Sequence, residues 1–118
     1  LRAHPVSTTR DYPPFAPPPG PSPSFNRAAL AQHPEYSALA GSVFDLSAAR
    51  GDLTSLIPLF GGKDMTLFHV RRLDTSDGTE TAEDVRAGRI SNAARQYLNA
   101  YLHEYLAEFR YIGRYIDE

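Results

Sequence analysis

Prolines are distributed very unevenly along this chain, and their distribution limits where a folded domain can form. Nine of the ten prolines fall within residues 1–34, and seven of them within Tyr12–Ser24. Proline lacks a backbone N–H and fixes φ at about −65°, so such a segment cannot build a helix or a central strand and favours polyproline II. We therefore expect an extended arm over residues 1–24 and one folded domain over residues 25–118.

Charge and composition exclude several classes of protein. The chain carries 12 basic and 14 acidic residues, which is too little positive charge for a surface that neutralises phosphates, so we expect no nucleic-acid partner. Because cysteine is absent, disulfides and thiol-based metal sites are excluded. The longest apolar run, Leu56–Phe60, is far shorter than the roughly 20 residues of a bilayer span, so we expect no transmembrane segment.

The arm differs from the rest of the chain in charge and in aromatic content. Residues 1–34 carry three basic side chains and one acidic one, whereas residues 35–118 carry nine and 13. Tyr12, Phe15 and Phe25 favour an arm that lies along a partner over a disordered tail, since a solvating tail seldom needs aromatic residues. We expect Tyr12 and Phe15 to anchor it, and the arm to be dispensable for folding and required for assembly.

The first ten residues combine arginines and hydroxyl residues with no acid before Asp11, and the chain begins at Leu1. This composition resembles the remnant of a cleaved organellar presequence, although a shortened chain explains the same observation. We expect an organelle, and a mitochondrion in preference to a chloroplast.

Capping and turn residues divide the first part of the domain into short elements. Asn26 can cap a helix through Ala28–Gln32, and the Gly41-Ser42 step predicts a β-hairpin within Tyr36–Ser47. A second short helix is predicted around Leu56–Phe60, and Asp64 can cap a third through Val70.

The C-terminal part predicts a longer helix followed by a strand. Thr81-Ala-Glu-Asp84 resembles a capping box, and Ser91 or Asn92 begins a helix that runs to about Phe109. A leucine stripe and an adjoining tyrosine stripe give this helix a broad apolar face: Leu98, Leu102 and Leu106; Tyr97, Tyr101 and Tyr105. Tyr111–Ile116 is rich in strand-forming residues. The chain is therefore expected to be α+β, a small mixed sheet with short helices.

The tyrosine stripe of the last helix is a second candidate surface for binding partners. Tyrosine combines a large contact area with one polar group and is enriched at interfaces. We expect Tyr97, Tyr101 and Tyr105 to contact a partner; the alternative is that they cover the domain's own sheet.

Four successive blocks resemble one known family. These are Phe25–Leu30, Ala38–Ser47, Phe60–Thr66 and Phe109–Tyr115, and their order matches the cytochrome b5-like heme/steroid-binding family, in particular its membrane-associated progesterone receptor branch. The resemblance implies a cytochrome b5-like fold. It also implies that heme ligands would lie in the loop after the second block and shortly after Phe68.

The chain departs from the family where the heme ligands belong. The loop Ala48–Pro58 contains neither His nor Tyr, and the receptor-type Tyr position falls on Ile57. Arg72 and Leu73 stand at the second ligand position of the b5 branch. His69 is the remaining candidate for heme, and a histidine with apolar neighbours is more often a packed core residue. We expect no resident cofactor, no metal site and no catalytic residue.

Three functions remain open at this point. The first is a non-catalytic accessory subunit that docks onto other subunits of a larger, organellar membrane complex, with peripheral contact with the membrane. The second is a heme-binding electron carrier or receptor, which needs an axial ligand. The third is a sterol or lipid site in the former heme cleft, lined by Leu53, Leu56, Leu59, Leu67 and Phe68.

Overall fold

A computed structural model describes residues 12–20, 22–48, 57–74 and 76–116. Its centre is a five-stranded mixed sheet in the order β1-β5-β3-β2-β4. The strands are β1 Ser24–Phe25, β2 Tyr36–Leu39, β3 Ser42–Asp45, β4 Lys63–Asp64 and β5 Arg110–Tyr115. Strand β3 is antiparallel to both β2 and β5. The two edge strands have two residues each: β1 is parallel to β5, and β4 is parallel to β2. The expectation of an α+β domain with a small mixed sheet is confirmed.

Five α-helices accompany the sheet in the described ranges: α1 Arg27–Ala31, α2 Ile57–Phe60, α3 Thr66–Val70, α4 Ala82–Arg86 and α5 Asn92–Glu108. The predicted caps of three of them are confirmed. The side chain of Asn26 accepts from the Ala29 N–H, that of Ser91 accepts from the Ala94 N–H, and Thr81 and Asp84 form a complete capping box. No described helix is long and apolar enough to span a membrane.

The hairpin between β2 and β3 turns one residue earlier than predicted. The turn residues are Ala40 and Gly41, with φ of 47° and 86°, and Ser42 already belongs to β3. Two successive positive φ values match the twist of a two-residue hairpin, and glycine adopts such a conformation at no steric cost. The Ala40 N–H donates to Thr66 Oγ1 at 2.8 Å, so the hairpin is tied to the start of α3.

Asp64 does not occupy the cap position predicted for it. It lies in β4, and Met65 is the N-cap residue of α3 without a side-chain bond. The carboxylate of Asp64 still accepts from the Thr66 N–H at 3.1 Å and from the Thr66 hydroxyl at 2.6 Å. Pairing of β4 with β2 moves the aspartate out of the cap, and the carboxylate supports the first turn of α3 from one residue further back.

Strands β2 and β3 are covered on both faces. One face carries Leu39 and Phe44 and packs against the main core, which contains Met65, Val70 and the buried side of α5. On the opposite face, Ala38 and Val43 form a small cluster with Leu30 of α1. Because strand side chains alternate in direction, the two clusters follow from successive residues of the same strands. Helix α5 is thereby fixed along one face of the sheet.

Candidate functional site

An open groove of about 680 Å³ lies between the arm, the β2–β3 turn and helices α3, α4 and α5. Its apolar lining comes from all of these helices and from the arm: Pro14, Phe15, Leu67, Val85, Ile90, Leu98 and Leu102. This volume lies within the range of about 300–1,000 Å³ that small-molecule sites occupy. The groove is therefore the candidate binding site of the described part of the chain.

Both arginines that line the groove are engaged in bonds within the chain. Arg95 donates to the Gly88 carbonyl and to Asn92 Oδ1, both at 2.9 Å, and Arg86 pairs with Glu83 at 2.7 Å. The bond from Arg95 to Gly88 joins the first turns of α5 to the connection that follows α4. The groove therefore presents mainly apolar surface to an occupant.

The described part of the arm lies against α5 of the same chain. The Phe15 N–H donates to Asn99 Oδ1 at 2.8 Å, and Asn99 Nδ2 donates to the Pro13 carbonyl at 3.0 Å. His103 Nε2 donates to the same carbonyl at 2.8 Å. Asn99 and His103 are four residues apart and hence neighbours on one side of the helix. The arm is held through its backbone.

Tyr12 and Phe15, the predicted anchors, are both placed beside His103. The Tyr12 ring stacks on the imidazole with centroids 4.7 Å apart, and the Phe15 ring meets it edge-on at 5.7 Å. Both rings are half-buried and pack against the main core. In the free chain these anchors therefore bind the chain's own helix.

The three tyrosines predicted as a partner surface lie inside the domain instead. Tyr97, Tyr101 and Tyr105 are only 1%, 4% and 0% exposed. Their rings meet one another edge-on along α5, and burial raises the pKa of both Tyr97 and Tyr105. Helix α5 packs against the sheet and against α3, so the tyrosine stripe is covered, whereas Leu98 and Leu102 line the groove. This finding corrects the expectation of a tyrosine contact surface.

His69 is a core residue between α3 and α5. Its side chain is 2% exposed, stacks on Tyr101 at 4.2 Å and shares a 2.7 Å hydrogen bond between Nε2 and the Tyr105 hydroxyl. Burial, assisted by the positive charge of Arg72, lowers the pKa of His69 to about 4, so the imidazole is neutral at pH 7. Its Nδ1 atom is buried without a hydrogen-bond partner.

The surroundings of His69 do not fit an axial heme ligand. Nε2 is bonded to Tyr105, and the rings of Phe60, Phe68 and Tyr101 pack around the imidazole, so neither nitrogen faces the groove. An iron atom would have to replace these ring contacts. Across the described ranges, no three His, Asp or Glu side chains are arranged to hold a metal ion.

The other positions implied by the family resemblance have structural neighbours of their own. Ile57 begins α2 and is half-buried against the core, as is Leu73. The Arg72 guanidinium lies 5.0 Å from the centroid of the Phe68 ring. These contacts give packing roles to the positions that the resemblance assigns to heme ligands.

The described residues of the predicted sterol pocket do not line one common cavity. Leu67 lines the groove, whereas Leu59 and Phe68 are 62% and 42% exposed and lie outside its lining. Leu53 and Leu56 fall outside the described residues.

Sequence reasoning missed Asn99, His103 and the contributions of Val85 and Ile90 to the groove. The spacing of Asn99 and His103 on one helix side was a usable signal, but the arm that they bind is more than 80 residues away in the chain. The region of Val85 and Ile90 was read only for its caps. A scan against protein-family models found no match to this chain, and a search of curated proteins found no significant relative.

Proposed function

We propose that this chain is a non-catalytic accessory subunit that docks into a larger, membrane-associated assembly of an organelle, the mitochondrion in preference to the chloroplast. Its scaffold is a cytochrome b5-like domain that has lost its heme ligands. One observation carries the proposal: an open apolar groove is bordered by a proline-rich arm that the domain itself holds in place. Its partners are protein subunits, with peripheral contact with the membrane.

The positions of the resembling blocks support the scaffold. Val43–Ser47 begins in β3, Gly62–Thr66 forms β4 and the start of α3, and Phe109–Tyr115 forms β5. Strands β3 and β5 are direct neighbours, and β2 links β3 to β4. Blocks that are separate in the sequence thus share one sheet, as a common scaffold requires.

The groove supports docking of an apolar segment from a partner subunit. Its apolar side chains come from three helices and the arm, while the arginines beside it are committed to neighbouring acceptors. Burying apolar surface contributes about 25 cal/mol per Å², so an apolar occupant gains free energy without displacing strong polar contacts.

Val85→Arg tests docking, because Val85 lines the groove and is only half-buried in α4. We expect this variant to remain folded, with a lowered thermal midpoint because Val85 also contacts the core, and to lose the high-mass species in which the tagged full chain migrates in native extracts. Leu59→Arg is the matched control, since Leu59 is an exposed apolar residue outside the groove. Equal migration of both variants with the wild type would refute docking through the groove.

A second function, binding of a small apolar molecule such as a sterol, is favoured by the groove volume of about 680 Å³. Titration of the full chain with a fluorescent sterol tests it directly. Saturable binding that Val85→Arg abolishes would favour this function. A Soret absorption band in the purified full chain would contradict the heme-free proposal.

A further inference from the structure

The side-chain amide of Asn99 contacts the arm as a neighbouring strand would. It accepts from the Phe15 N–H at 2.8 Å and donates to the Pro13 carbonyl at 3.0 Å, so one amide pairs with the two polar backbone groups that flank Pro14. Pro14 has no N–H, and therefore this stretch leaves no donor unpaired between them. Such pairing recognises an extended backbone and is insensitive to the side chain at position 14.

His103 adds a second donor and a ring surface one helical turn further along. Its Nε2–H donates to the Pro13 carbonyl at 2.8 Å, and its imidazole contacts the rings of Tyr12 and Phe15. The groups that contact α5 are thus two aromatic rings and the extended backbone between them, a conformation that the two intervening prolines favour. The two rings sit three positions apart, which is one turn of a polyproline II helix.

The arm can leave the side of α5 formed by Asn99 and His103 without any loss of strand pairing in the sheet. The arm contributes no strand where it crosses α5, and the first strand pairing begins at Ser24. Gly20, in the connection between them, has φ of 123° and open space around it. Since a proline-rich segment has little backbone entropy to lose, a second segment of the same kind binds such a surface at a low ordering cost.

We propose that the side of α5 formed by Asn99 and His103 is a receptor for proline-rich segments with an aromatic-Pro-Pro-aromatic pattern. The chain's own Tyr12–Phe15 segment occupies it in the free protein, and a segment of this chemistry on a partner protein replaces the arm in the assembly. This inference rests on the proposed docking function and names the partner's chemistry. Tyr12, Pro14 and Phe15 also line the groove, so the segment that occupies this side of α5 forms one wall of the groove.

A labelled peptide of residues 10–20 tests the receptor in the full-length chain. The double variant Tyr12→Ser, Phe15→Ser weakens the arm in cis and leaves α5 intact. We expect saturable peptide binding to this variant in fluorescence anisotropy, and about tenfold weaker binding to the wild type, whose arm competes. Adding Asn99→Ala should weaken binding by about tenfold or more, because two backbone bonds are lost.

Two controls distinguish specific recognition of the peptide from nonspecific binding, and a further measurement covers misfolding of the double variant. Glu108→Ala, at the last residue of the same helix and outside the arm contact, should leave peptide binding unchanged, and a peptide with both aromatic residues replaced by serine should not bind. If the double variant unfolds, the peptide is titrated into the wild-type chain instead, where displacement of the arm should shift the NMR signal of the chain's own Phe15 amide, which is bound to Asn99 in the free protein.

Three results would overturn the proposal: no peptide binding to a folded double variant, equal binding with Asn99→Ala, or a concentration-dependent dimer in which two copies exchange arms. The last result would mean that the side of α5 formed by Asn99 and His103 binds the arm of a second copy of this chain. Failure of the docking function gives a different pattern, in which the peptide binds as expected but the wild-type chain migrates as a monomer in native extracts.

Discussion

At the scale of single residues, the polar atoms inside the core have the largest consequences. His69 shares one buried hydrogen bond with Tyr105, and its imidazole is neutral at pH 7. The sequence suggested a packed histidine from its apolar neighbours. It did not suggest Tyr105, which is 36 residues away and had been expected on a partner surface.

The lowered pKa of His69 makes stability depend on pH. Its pKa is about 4 in the folded chain and about 6.5 unfolded, so the unfolded state binds the proton more readily and acid favours unfolding. The stabilisation is complete above about pH 6.5 and is lost as the pH falls towards 4, on the order of 3 kcal/mol. Urea unfolding at pH 7, 5.5 and 4.5 measures it.

Carboxylates also titrate in that window, so the matched comparison is His69→Phe, which keeps a planar ring without the titration. The free energy of unfolding of this variant should change less between pH 7 and 4.5 than that of the wild type. Identical pH dependence in the two proteins would contradict the assignment.

Removal of two buried tyrosine hydroxyls should have different effects on the free energy of unfolding. Tyr105→Phe leaves His69 Nε2 buried without its partner, which costs about 1–3 kcal/mol. The Tyr111 hydroxyl is buried without a hydrogen-bond partner, so Tyr111→Phe should be neutral or slightly stabilising. Chemical denaturation of both variants checks the pair. Equal destabilisation would show that these hydroxyls do not differ in this way.

At the scale of elements, local signals predicted most of the helices and strands. The caps Asn26, Thr81 and Ser91 act within three residues of their helix starts, and the hairpin is a local turn. Side-chain burial on α5 depends on which elements pack against it from two directions. The periodicity shows a broad apolar face, but it does not distinguish a face that packs on the domain's own sheet from one that contacts a partner.

The arm should contribute to stability in the free chain, contrary to the expectation that it is dispensable. Phe15 is half-buried against the core and bonded to Asn99, so Phe15→Ala should lower the free energy of unfolding by about 1–2 kcal/mol. Pro17→Ala, at an exposed arm position, should change it by less than about 0.5 kcal/mol. Thermal unfolding checks both. An unchanged midpoint in Phe15→Ala would show that the arm does not add to stability.

At the scale of the whole molecule, the fold class was accessible from sequence but the groove was not. Short elements with alternating helix and strand signals sufficed for an α+β domain. The groove depends on contacts between the arm and α5 and between α5 and the segment after α4, such as the bond from Arg95 to Gly88. Such contacts follow from the assembled fold and carry no periodicity of their own.

The assembly state of the full-length chain tests the central claim most directly. The tagged wild-type chain, of 13.1 kDa, should migrate in native cell extracts at a mass several times its own. The double variant Asn99→Ala, His103→Ala should remain folded and shift to the monomer mass, whereas Glu108→Ala should migrate like the wild type. A monomeric wild type, or a double variant that stays in the large species, would contradict the account.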